Sequence, residues 1–202
     1  MSEPGRRFRA SPLGTPGKIP RGPALALLEC ESIARGFVVA DALLKRAAVE
    51  IVLAEPTSPG KFLLLFTGEV AEVEESLAAG TEVAGAGLLD TLYLPYAHPQ
   101  LMGGLGEQFA PEDGESLAIV ETQTAASALR GLDVALKKAD VHLTHLHLAR
   151  EVGGKGWFTL GGDLHMVEAA VEAISAAIPS PLLLATELIR RPHPELRRQG
   201  GP

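Results

Sequence analysis

Hydrophobic and polar positions along the chain fall into two series that run in the same order. Short apolar runs at Ala24–Glu29 and Leu117–Glu121 have strand length. Each leads into a segment, Ile33–Arg46 or Ala125–Lys138, where Ala and Leu recur at three- and four-residue spacing, the period of an amphipathic helix. Second strands are predicted over Val49–Ala54 and Val141–Ala149, and third strands, after a glycine-containing turn, over Lys61–Thr67 and Lys155–Leu160. A second helix opens at Gly68-Glu69 and at Gly162-Asp163, where an acid in the first turn suits the positive end of the helix dipole. A last strand, Leu89–Leu94 or Pro181–Leu188, runs into a short Pro-His segment.

Strand-helix-strand-strand-helix-strand describes a compact α+β unit of ferredoxin-like size, its helices packed on one face of a mainly antiparallel sheet. The two series are copies of each other. Ala26-Leu27-Leu28-Glu29 matches Ala118-Ile119-Val120-Glu121, and Asp41–Lys45 matches Asp133–Lys137, at a constant offset of 92 (121 − 29 and 137 − 45). Gly68-Glu69-Val70 matches Gly162-Asp163-Leu164 at 94 (162 − 68), so the second copy carries two inserted residues within Val141–Val152. His98 and His193 form a further matched pair. The chain then divides into a basic N-terminal arm (1–22), a first domain (23–102), a linker (103–115), a second domain (116–197) and a tail (198–202). Gly103, Gly104, Gly106 and Pro111 mark Leu101–Glu115 as a loop.

Composition narrows the function. A net charge of −7 excludes a general nucleic-acid surface, which needs a basic footprint. The arm departs from this balance, with Arg6, Arg7, Arg9, Lys18 and Arg21 against the single acid Glu3; it reads as a mobile segment, either merely solvated or in contact with cargo or an acidic neighbour. Aromatic residues make up only 4% of the chain, so its cores are built from Ala, Val, Leu and Ile. Cys30 is the only cysteine, which excludes an internal disulfide and fits a reducing, cytoplasmic setting. The longest purely apolar runs, such as Phe62–Phe66, have strand rather than bilayer length, so no membrane partner is expected.

Two copies of this unit, each with a lysine at the end of its first helix (Ala42-Leu43-Leu44-Lys45 and Val134-Ala135-Leu136-Lys137), and a chain ending Ile189-Arg190-Arg191-Pro192-His193, resemble the shell domain of bacterial microcompartments. The resemblance covers about residues 23–197, and tandem copies in unpermuted order are similar to its trimer-forming branch. It implies a structural shell protein, a homotrimer of pseudohexameric shape with a central pore, partnered by other shell proteins (hexamers and pentamers) and by encapsulated enzymes. It further implies that Lys45, Lys137, Arg191, His98 and His193 lie at tile edges. The turns Ser58-Pro59-Gly60 and Val152-Gly153-Gly154 would line the pore, with Lys61 and Lys155 at its mouth. Tyr96 stands in the first copy where the second has Arg191, which makes the two kinds of edge unequal. Some members hold an iron-sulfur cluster through a pore-loop cysteine; neither turn has one here, so no cofactor is expected.

Other candidates carry less. His142, His145 and His147 share one predicted strand, the last two on one face, but a metal site needs a third ligand that the pattern does not supply. Glu29 and Glu121 have no accompanying nucleophile, which favours a structural role and leaves no catalytic constellation. Trp157 reads as a packing or interface residue. Against the shell reading stands a small-molecule-binding regulator built on the same duplicated unit, a discrete oligomer whose turns bind an effector.

Overall fold

Ser32 and Thr124 start the leading helix of each copy. Their hydroxyls accept from the N–H groups of Arg35 (3.3 Å) and Ser127 (3.1 Å), satisfying donors that the helix leaves free. Lys45-Arg46 and Lys137-Lys138 close the same helices, cations set against the negative end of the dipole. The resulting α1 (Ile33–Arg46) and α4 (Ala125–Lys138) have the ends that their apolar periodicity predicts.

The computed structural model describes residues 18–111 and 114–197. Around α1 the first copy folds β1 (Ala24–Cys30), β2 (Glu50–Thr57), β3 (Lys61–Gly68), α2 (Val70–Ala84) and β4 (Leu88–Leu94). After α3 (Pro99–Leu105), the second copy repeats the pattern as β5 (Ser116–Thr122), α4, β6 (His142–Leu148), β7 (Gly156–Gly162), α5 (Leu164–Ala177) and β8 (Leu183–Arg190), with a short α6 (Pro194–Arg197) behind it. Each copy forms a four-stranded sheet, ordered β2-β3-β1-β4 and β6-β7-β5-β8, and every pairing is antiparallel.

The first sheet is buried on both faces. Ala24, Ala26, Leu28 and Cys30 of β1 point with Phe62, Leu64 and Phe66 toward α1 and α2. The alternate residues Leu25, Leu27, Leu63, Leu65, Leu92 and Leu94 form one cluster with Ala125, Ala126, Ala128, Leu129 and Leu132 of α4. A strand covered on both sides has no polar face, which is why β1 reads as an unbroken apolar run. Gly36 lets α1 lie on β3, since a Cβ there would come within 2.3 Å of the Phe62 ring.

Three expectations change. Pro99–Leu105 is helix rather than loop, capped by His98 with Pro99 in its first turn, so the linker's first three residues, 103–105, are helical. The glycines there serve close packing: a Cβ on Gly104 would fall 2.4 Å from Leu143. Residues 18–22 of the arm are packed on the first domain, with Lys18 ion-paired to Glu50 and Gly22 lying against the Gly68 backbone. Arg6, Arg7, Arg9 and the 198–202 tail lie outside the described residues. Glu69 and Asp163 sit at the N-caps of α2 and α5, one position before the first turn, without a side-chain bond to it.

Candidate pore and assembly site

The β2–β3 turn holds Ser58, Pro59 and Gly60, all exposed, with Gly60 at φ 123°. The β6–β7 turn holds Val152, Gly153 and Gly154, the glycines at φ 69° and 78°, where a side chain is strained. Antiparallel hairpins project both turns from corresponding ends of the two sheets, and the fold brings them together: a Cβ on Gly154 would meet the Ser58 carbonyl oxygen at 2.7 Å. The longer second turn adds Arg150, whose guanidinium forks onto Glu55 (Nε to Oε1 2.5 Å, Nη2 to Oε2 2.9 Å) and fastens the two copies beside the turns. Neither turn carries a thiolate, so these residues do not fit an iron-sulfur cluster.

The lysines after the turns are matched by acids. Lys61 Nζ lies 3.6 Å from Glu29, its side chain only 16% exposed, and Lys155 Nζ donates to Glu121 Oε1. Each of these cations is thus offset by an acid.

Glu29 is the centre of the joint between the domains. It is fully buried, and its Oε1 accepts from the Ala126 N–H at 2.9 Å, so a carboxylate of the first copy caps the N-terminus of the second copy's α4. Among the described residues Oε2 has no hydrogen-bond partner, and burial pushes the carboxyl up to about 6 against the opposing pull of the Ala126 N–H and the Lys61 ammonium. Beside it, Asp90 accepts from Thr124 Oγ1 (2.5 Å) and Ser127 Oγ (3.0 Å). Arg130 approaches Asp90 at 3.9 Å and donates to the Thr91 carbonyl at 2.7 Å. Sequence reasoning singled out neither Asp90 nor Arg130.

The five edge residues separate into two groups. Lys137 and His98 belong to the same joint: Lys137 Nζ donates to the Tyr96 carbonyl and to Asp133, both at 2.6 Å, and the His98 N–H donates to Asp133 Oδ1 at 2.8 Å. Burial lowers the His98 pKa. Lys45, Arg191 and His193 are exposed; among the described residues Lys45 reaches only Asp41 on its own helix, and Arg191 holds φ 52°. His145 and His147 stack on Trp157, with ring centroids 4.3 and 6.0 Å away. Their strand face is thus a packing surface.

A duplicated four-stranded unit with paired turns at one end is a fold shared with other proteins. The BMC domain profile matches residues 24–97 and again 116–192. The chain belongs to the BMC domain family. It is 36% identical over 177 residues to the bacterial microcompartment shell protein PduT of Citrobacter freundii, covering 87% of this chain and 96% of that protein. A microcompartment protein from Desulfitobacterium hafniense superposes with a TM-score of 0.77 at 36% identity, over 87% of this chain and 98% of the other. The fused permuted hexameric shell protein of the RMM microcompartment shares the fold, with a TM-score of 0.59 at 23% identity over 79% of this chain and 83% of its own. Two BMC domains in tandem make this a structural shell protein. No helix among the described residues is long and apolar enough to cross a membrane.

Proposed function

We propose that three copies close head to tail into a pseudohexameric ring, a single tile of the microcompartment shell, whose central pore is lined by Ser58, Pro59, Gly60, Val152, Gly153 and Gly154 and passes small metabolites. One observation carries this reading. The joint inside the chain is heterologous: the outer sheet face of one BMC domain covers the first helix of the next. Among the described residues this leaves one sheet face uncovered, on the second domain, and one first helix, α1. Repeating the same joint uses both, and six like units at one rotation close a ring. The contact between the two turns supports a shared opening, because the same operation gathers all the turns at the axis.

The tile joins hexameric and pentameric shell proteins through outer edges bearing Lys45, Arg191, His193 and Lys137, the last still half exposed although its ammonium also closes the inner joint, and encapsulated enzymes lie behind it. A lysine stem can lie along its counterpart in a neighbouring tile while the ammonium reaches carbonyls. The protein acts by forming a wall, not by catalysis. Class averages from electron microscopy of the purified protein test the ring: threefold particles with a central opening are expected, and particles without one would refute it.

A further inference from the structure

The two joints of such a ring are not chemically alike, and the difference identifies the residues that close it. Within the chain, Ala125 and Leu129 in the first turns of α4 share one core cluster with Leu27 and Leu63, all fully buried. On the second domain the positions of Leu27, Glu29, Lys61 and Leu63 are held by Ile119, Glu121, Lys155 and Trp157, and these four, with Val152, line an open groove of about 360 Å³. On α1 the positions of Ala125, Leu129 and Arg130 are held by Ile33, Phe37 and Val38, which are 39, 52 and 51% exposed. Inside the chain Ala125 and Leu129 are covered by the first domain's sheet, whereas Ile33, Val38 and Phe37, whose ring also rests on Phe62, present exposed apolar surface, and the sheet face that matches them is an open groove. Polarity changes in step. Asp90, beside Glu29 in register, meets Arg130; its counterpart beside Glu121 is Ala185, and the counterpart of Arg130 is Val38. Acid and cation are lost together, as required if Val38 and Ala185 face one another.

We propose that the groove on the second domain receives the first two turns of α1 from a second copy of this chain, with Ile33 and Phe37 against Ile119, Val152 and Trp157. Glu121 accepts from the Ala34 N–H of that copy, as Glu29 does from Ala126. Val38 packs on Ala185, an apolar pairing in place of the ionic one inside the chain. This rests on the ring reading and adds to it which contacts hold the ring shut.

Trp157 is the only tryptophan, so its emission reports the groove directly. In the wild type, emission should shift to the red as the protein is diluted through dissociation, in parallel with loss of trimer by sedimentation. Val38→Asp, at an exposed position, should keep the melting transition of the isolated chain but raise the concentration for half-assembly at least tenfold and leave the emission red-shifted. Adding Ala185→Arg should recover most of both. A wild type that is no trimer refutes the ring itself. A trimeric wild type, with Val38→Asp equally trimeric and its emission unchanged, overturns the proposal alone. Loss without recovery in the double variant overturns the pairing of Val38 with Ala185.

Discussion

Helices α1 and α4 have the same length, the same kind of cap and the same basic end, yet they live in opposite surroundings. In α4, Ala125, Ala126, Leu129 and Leu136 are all buried; in α1, the matching Ile33, Ala34, Phe37 and Leu44 are all exposed. The difference lies in what covers them. The first domain's sheet lies over α4, and among the described residues nothing lies over the matching outer face of α1. An apolar helix face uncovered in one copy and covered in the other marks a joint that another molecule must complete.

Charge placed on either helix should break the symmetry most sharply. Leu129→Asp puts a carboxylate into the shared core without a partner and should cost about 3–5 kcal/mol or prevent folding. Phe37→Asp, at the matching exposed site, should leave a folded chain by circular dichroism and act on association.

Glu29 extends the comparison to pH. Glu29 holds its proton more tightly folded, near 6, than at the ordinary value of 4.5, so it contributes most below about pH 4.5. That contribution falls as pH rises through 6, by about 2 kcal/mol. Glu29→Gln should flatten this part of the melting profile between pH 4 and 7. Retention of the full slope would remove Glu29 as its source.

Asp90 tests the polar half of the inner joint. Asp90→Ala leaves Thr124 and Ser127 without their acceptor and Arg130 without its counter-charge, and should lower stability by about 1–3 kcal/mol, measured by urea unfolding. Alanine is already the residue at the outer joint, where Ala185→Ser should change stability by less than about 0.5 kcal/mol.

The lysines should have only a small effect on the fold. Lys45→Ala removes an exposed pair with Asp41, worth about 0.5 kcal/mol or less. Lys137→Ala also loses the bond to the Tyr96 carbonyl and should cost about 1 kcal/mol. Both should impair extended sheets or shells far more than melting, because a small loss at each edge multiplies across an array. Normal shells at normal yield from the double variant would remove the edge role.

Much of this was legible in the chain. The bounds of α1 and α4 follow from a polar cap, a three-four apolar period and a basic last turn, all local signals. The duplication follows from constant offsets, and it places both turns. The linker helix was hidden because Gly103, Gly104 and Gly106 read as loop, whereas Gly104 is small to admit Leu143. Glu29 as the cap of α4 was hidden for a different reason: its partner, Ala126, is 97 residues away, and no local pattern records that distance. A signal for the joint did exist. Comparing the copies position by position shows Arg130 against Val38, and only the strand register supplies the matching change from Asp90 to Ala185.

The claim beneath all of this is that one copy is incomplete. The mass of the native protein in solution tests it most directly. A particle of three times 21.2 kDa that persists on dilution to micromolar concentration is expected. A stable monomer or dimer under the same conditions would contradict the account.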